Sequence, residues 1–221
     1  MTQPIATRLA VFDCDGTLVD GQHDIQAAMV DAFRAQSLTP PSREAVRQIV
    51  GLSLPVAMRR LRPDLETEQQ AALVEEYKYA YRSARDSGRI GEPLYDGIRG
   101  LLDGLRSDGW AMAVATGKSD RGLNHCLAMH GLSDHFVSLQ TADRHPSKPH
   151  PAMLEAALFE AAAMPQDSVM IGDTSFDMVM ARSAGVRALG VAWGYHSVAQ
   201  LMAAGADAVA RDPEHLRELL G

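Results

Sequence analysis

The chain has 221 residues, 46% hydrophobic and 22% charged, a balance that excludes disorder, collagen and coiled coil and leaves one large domain or a domain carrying a smaller insertion. Lysine and arginine number 21 against 28 aspartates and glutamates, a formal net charge of −7 with the basic residues scattered, so no footprint for nucleic acid or an anionic membrane is present. No apolar run approaches the ~18 residues of a membrane span, and a cytoplasmic location is expected.

Leu9 to Phe12 is an unbroken apolar run that meets Asp-Cys-Asp-Gly-Thr, the pattern of a short buried strand ending in a loop. From residue 20 to 90 the pattern is helical only. Ile25, Ala28, Met29, Ala32 and Phe33 share one helix face, Pro40-Pro41 breaks it, Ser42 is an N-cap and Pro55 opens another helix. Thr67 to Gln70 has capping-box spacing before a long helix through Tyr77 and Ala84. Beyond residue 91, buried-strand patterns at Ala111 to Ala115, Phe136 to Thr141, Val169 to Ile171 and Ala188 to Trp193 alternate with helical stretches such as Ile98, Leu101, Leu102 and Leu105. The expected architecture is an α/β, Rossmann-like parallel sheet (1–19 and 91–221) with a small helical bundle (20–90) inserted after the first strand. The glycine-bearing connections around Asp20-Gly21 and Gly88 to Pro93 suit hinges. Cys14 and Cys126 lie far apart in core-like surroundings, so a disulfide is not expected, and the eight histidines lack zinc-ligand spacing.

In an open parallel sheet, ligands bind beyond the carboxyl ends of the strands. There the chain places Asp13, Asp15, Gly16 and Thr17 after the first strand, Thr116 and Gly117 after the second, Lys148 before the helix that follows the third, and Gly172, Asp173 and Asp177 after the fourth. Four carboxylates and one ammonium cannot all stay charged at close range without compensation. An all-oxygen donor set favours a hard divalent cation such as magnesium. The Gly16-Thr17 and Thr116-Gly117 turns offer N–H groups and hydroxyls to a phosphate, and Lys148 can pair with its oxygens. Asp13 is then a candidate nucleophile forming an aspartyl phosphate, and Asp15 a candidate acid and base. Singly each residue is a weak signal, because strand-end aspartates commonly cap helices or turns; the four elements in this order carry the reading together.

Phe12-Asp13-Cys14-Asp15-Gly16-Thr17-Leu18, Thr116-Gly117-Lys118, Lys148-Pro149 and Gly172-Asp173 to Asp177 resemble the four motifs of haloacid dehalogenase superfamily phosphatases, and the likeness spans the chain. The insertion, and Gly190 to His196, resemble the phosphoglycolate phosphatase-like branch. The resemblance implies a mobile helical cap, Asp13 as nucleophile, Asp15 as acid and base, and Thr116 and Lys148 as phosphate binders. It implies magnesium held by Asp13, the Asp15 carbonyl and Asp173, with Asp177 orienting the metal shell.

Dehalogenation is disfavoured because Asp15 is present, and a halide leaving group needs no proton. Sugar phosphomutases of this branch carry a linker histidine about two residues beyond His23, where this chain has Ile25; His23 would have to reach the site from another register. A phospho-receiver module also combines acids, a threonine and a lysine, but lacks a helical insertion after its first strand. A scaffold without activity is disfavoured because the expected catalytic side chains are present. Gly51-Leu52-Ser53 resembles the cap loop that faces the active site and supplies the specificity candidates; Arg47, Arg59 and Arg60 are nearby candidates for a second anion of the substrate, or solvated helix residues. The expected partner is a small phosphate ester, phosphoglycolate-like, with neither nucleic acid nor membrane; no signal of oligomeric state is present.

Overall fold

The computed structural model describes residues 7–221, so positions 1–6 of the expected core segment lie outside the described residues. The first strand, β1 (Leu9–Phe12), is followed by four helices, α1 (Gln22–Ala35), α2 (Arg43–Arg47), α3 (Leu54–Leu61) and α4 (Thr67–Asp86). Then come α5 (Ile98–Ser107), β2 (Ala111–Thr116), α6 (Asp120–Met129), β3 (Ser138–Thr141), α7 (Ala152–Glu160), β4 (Ser168–Gly172) and α8 (Ser175–Ser183). The chain closes with β5 (Arg187–Val191), α9 (Val198–Ala203), β6 (Ala208–Ala210) and α10 (Pro213–Leu220).

Among the described residues six strands pair in the order β3-β2-β1-β4-β5-β6, each neighbouring pair parallel. The α/β, Rossmann-like architecture expected from the sequence is the one found. Strand β1 is unbrokenly apolar because both faces are covered. Ala10 and Phe12 join a core with Val114, Ile171, Ile98 and Leu102, whereas Leu9 and Val11 join one with Ala113, Met170, Met153 and Leu154; successive residues point to opposite faces.

The sequence reading missed β6, whose three residues are too short for a periodic pattern and which completes the sheet by pairing with β5. Strand β3 starts at Ser138, after a 3₁₀ turn over Ser133–His135, and β5 stops at Val191, short of Trp193. Ser42 does cap α2, accepting from the Ala45 N–H at 3.1 Å. At α4 the capping box sits one residue earlier than expected: Glu66 is the N-cap and its N–H donates to Gln69 Oε1 at 3.3 Å.

The helices α1–α4 have their own apolar centre, in which Met29, Phe33, Met58 and Leu73 meet Phe176 and Tyr195 from the sheet side. The two chain segments joining them to the sheet are hydrogen-bonded to each other. Asp20 N donates to Pro93 O at 2.8 Å and Tyr95 N to Leu18 O at 3.0 Å, while Gly91 N donates to the buried Asp24 Oδ2 at 3.0 Å. Where glycine hinges were expected, the structure thus has a short paired ribbon.

Candidate active site

In the strand order, β1 and β4 flank the point where the winding reverses, which is where open α/β sheets gather their ligands. Phe12 is in register with Ile171, and Asp13 N donates to Ile171 O at 2.9 Å, so the residues after both strands are brought side by side. Asp13 is fully buried. Its Oδ1 accepts from the Cys14 N–H at 2.6 Å and lies 3.0 Å from Lys148 Nζ, while its Oδ2 is buried without a hydrogen-bond partner among the described residues. Burial, opposed by Lys148 and reinforced by Asp177 and Asp15, raises the Asp13 carboxyl to about 7.

Lys148 has no exposed side-chain surface and also donates to Asp177 Oδ1 at 2.6 Å. Burial alone would lower its pKa, but Asp13 and Asp177 outweigh that and hold it above the usual lysine range. Asp177 Oδ2 accepts from Thr174 N at 3.1 Å and Thr174 Oγ1 at 2.7 Å, the reciprocal cap of α8. Asp173 is held from two sides, Oδ1 accepting from Thr17 Oγ1 at 2.9 Å and Oδ2 from Tyr195 N at 2.8 Å. Its packing requires glycine on both sides: a Cβ on Gly16, whose φ is +84°, would come within 2.1 Å of Asp173 Oδ2, and one on Gly194 within 2.4 Å of it. Burial, then Asp13 and Asp177, raise the Asp173 carboxyl well above the ordinary range.

Asp13, Asp173 and Asp177 each offer a carboxylate oxygen within 4.8 Å of the others. Crowded, buried, all-oxygen donors, one of them unpartnered at Asp13 Oδ2, fit a hard divalent cation. The Asp15 side chain stands apart from this group. Its Oδ1 lies 3.1 Å from Lys118 Nζ, and Lys118 is ion-paired in turn with Glu92, which also accepts from the Tyr81 hydroxyl of α4. Burial raises the Asp15 carboxyl, Lys118 opposes that, and Glu92 adds to it. For Glu92 itself, burial acts upward but the Lys118 ammonium prevails and holds the carboxyl below its ordinary value.

A cavity of about 470 Å³ lies over Asp13 and Asp15, between the strand ends and the helices α1–α4. Thr116, Gly117 and Lys118 line its floor, and Gly51, Leu52 and Ser53 line the opposite side. That loop is seated tightly: a Cβ on Gly117 would come within 2.7 Å of Gly51 O and Leu52 O, and Ser53 N donates to Ser147 Oγ at 2.8 Å.

Several expected roles change with the geometry. Gly16 and Thr17 were expected to offer N–H groups and a hydroxyl to phosphate. Gly16 N donates instead to Val19 O at 2.9 Å, Thr17 N to Cys14 O at 3.3 Å, and the Thr17 hydroxyl to Asp173, so Thr17 positions a carboxylate. Lys148 is sequestered between Asp13 and Asp177, outside the cavity lining. Arg47 bonds Gly194 O at 3.1 Å and Tyr195 O at 2.9 Å, and Arg60 lies over the Phe176 ring at 5.2 Å. Both tie the helical segment to the sheet, and neither they nor Arg59 line the cavity. His23 is exposed and also outside the lining. The two cysteines are free, yet they are neighbours, with Sγ atoms 4.0 Å apart in the core. Sequence reasoning gave no role to Lys118, Glu92, Tyr195 or Thr174; Lys118 and Tyr195 stand inside the motifs that carried the resemblance, whereas nothing local marked Glu92.

The haloacid dehalogenase-like hydrolase family profile matches residues 10–191. The chain is 36% identical to probable phosphatase IndB of Dickeya dadantii over 199 residues, covering 89% of this chain and 86% of that protein. It is 28% identical to phosphoglycolate phosphatase of Vibrio vulnificus over 211 residues, covering 92% and 91%. The solved structure of a hydrolase from Pseudomonas syringae superposes with a TM-score of 0.85 at 26% identity over 97% of this chain and 98% of that one. With the sheet order, the strand-end carboxylates and these likenesses together, the chain belongs to the haloacid dehalogenase-like hydrolase family, in its phosphoglycolate phosphatase-like branch, and is an enzyme of the phosphatase type.

Proposed function

We propose that this enzyme hydrolyses a small phosphomonoester with magnesium, through an aspartyl phosphate on Asp13. The observation that carries the reading is the state of Asp13, which lines the cavity: Oδ1 is fixed by the Cys14 N–H and Lys148, and among the described residues Oδ2 has no partner. Oδ2 attacks phosphorus and the ester P–O bond breaks. Asp15 delivers the proton that the leaving oxygen needs, then takes one from the water that attacks the aspartyl phosphate and releases inorganic phosphate. Burial, which favours the protonated form of Asp15, supports its part as donor.

Asp13, Asp173 and the Asp15 carbonyl would hold the magnesium, with Asp177 orienting its shell; the ion supplies charge neutralisation at the phosphoryl oxygens. Thr116 and Gly117 line the cavity where a phosphate would sit, with Lys148 beside Asp13 neutralising the site. Residues 20–90 act as the cap, on a catalytic core of 1–19 and 91–221. Phosphoglycolate, named for several relatives, is the reference substrate. The exposed position of His23 gives no support to mutase chemistry.

The test is phosphate release from phosphoglycolate, hexose phosphates, nucleoside monophosphates and pyrophosphate, with magnesium and with chelator. Magnesium-dependent release from one or two compounds is the expected result; no release from any of them would overturn the reading.

A further inference from the structure

The cavity of about 470 Å³ is larger than a two-carbon substrate needs. The few non-hydrogen atoms of phosphoglycolate, at the ~30 Å³ each that a water takes in the liquid, fill about 270 Å³. The remaining space has apolar walls. Ile25 and Met29 from α1 and Ile49 and Leu52 face Tyr77 and Tyr81 of α4, whose rings stack at 5.8 Å with an interplanar angle of 24°. Such walls suit a planar or apolar body.

Elsewhere on the lining the chemistry changes sign. Arg82 and Arg85 of α4 and Arg121 of α6 line the same cavity. The Arg85 side chain is only 11% exposed, and among the described residues its one ion-pair contact is with Asp86 Oδ1 at 3.7 Å, beyond hydrogen-bond reach. Among the described residues Arg82 and Arg121 make no ion pair, whereas Lys78 on the same helix is paired with Glu75 at 2.8 Å. The acid in this part of the lining, Asp143, already accepts from Asp120 N at 2.8 Å. A guanidinium largely withdrawn from water, with its carboxylate neighbour beyond hydrogen-bond reach, matches a ligand that brings the anion.

We infer that the substrate is a phosphomonoester with a planar or apolar body longer than a two-carbon chain and a second anionic group at its far end, the body lying against Tyr77 and Tyr81 and the anion read by Arg82, Arg85 and Arg121. This rests on the phosphatase reading and names its substrate class. Arg85, the least exposed of the helical pair, is the specificity-determining residue.

The experiment compares magnesium-dependent phosphate release from phosphoglycolate, benzyl phosphate and 4-carboxybenzyl phosphate, all with alkyl leaving groups, so that leaving-group reactivity does not set the order. The expected kcat/KM is highest for 4-carboxybenzyl phosphate, by about tenfold or more over either of the others. Arg85→Gln raises KM for that ester about tenfold, at least fivefold more than for benzyl phosphate, with kcat little changed, and Arg85→Lys restores part of the loss. A purely structural role for Arg85 would instead lower both esters equally. An equal loss on both esters, or phosphoglycolate outrunning the benzyl compounds, overturns this inference and leaves the phosphatase reading intact. No release from any of the three overturns both.

Discussion

Two lysines, Lys148 fully buried and Lys118 mostly so, sit near the carboxyl end of the sheet, and they do different work. Lys148 is enclosed by Asp13 and Asp177, both on the sheet side, so that cluster is complete within the core. Lys118 joins Asp15 to Glu92 in the connecting ribbon, and Glu92 reaches Tyr81 on α4. The proposed nucleophile is therefore set by the core alone, whereas the proposed proton donor is tied to the helices that cover it. The same chemistry, a carboxylate pair around one ammonium, serves charge balance in one place and a link between the two parts of the molecule in the other.

The largest effect is expected at Asp13. Asp13→Asn keeps the size of the side chain and removes the nucleophilic oxygen, and phosphate release with magnesium is expected to fall to background while the circular dichroism spectrum is retained. Asp15→Asn is expected to cost about 10²–10⁴-fold on alkyl phosphates. The same variant should lose far less on p-nitrophenyl phosphate, whose leaving group needs no proton; equal losses on the two esters would remove Asp15 from the proton-transfer step.

Lys148→Met leaves Asp13 and Asp177 facing each other without their cation, and a loss of about 3–5 kcal/mol in urea unfolding is expected. Tyr81→Phe deletes one hydroxyl of the second cluster, with an expected loss of about 1 kcal/mol and a severalfold drop in kcat/KM. A drop in stability at Tyr81→Phe as large as that at Lys148→Met would erase the distinction between the clusters.

The smallest effect is in pH dependence, and the two clusters have opposite signs. Glu92 is held below its ordinary 4.5, so its contribution is present above about pH 4.5 and is lost as pH falls through the lower folded value. Asp13 is raised from 3.8 to about 7, so its contribution to the chelated protein is present below pH 3.8 and is lost as pH rises through about 7. Unfolding curves of Glu92→Gln and Asp13→Asn against the parent chain, taken in chelator, should diverge at opposite ends of the pH range.

The alternation of strand and helix, the all-helical stretch after β1 and the acids at strand ends were legible because each depends on near neighbours in the chain. Ile25, Met29 and Phe33 advertise a helix face by spacing alone, and an unbroken Leu9 to Phe12 advertises a strand covered on both sides. Asp13, Asp15, Asp173 and Asp177 follow from the rule that parallel sheets gather ligands at one edge. The three-residue β6 was not legible, because nothing so short carries a period.

Partnerships belonged to the tertiary structure. Thr17 spends its hydroxyl on Asp173, 156 residues away, and Lys118 finds Glu92 across 26. Cys14 lies against Cys126, and Arg47 clamps the Tyr195 carbonyl instead of meeting a substrate. Which elements form, and which chemical groups stand at their ends, was written along the chain, since periodicity and spacing are local properties. Which of those groups share a proton, a cation or a cavity was decided only when β1 came into register with β4 and the helices α1–α4 were laid over the strand ends, since hydrogen bonds and ion pairs act over a few ångströms of space whatever the distance along the chain.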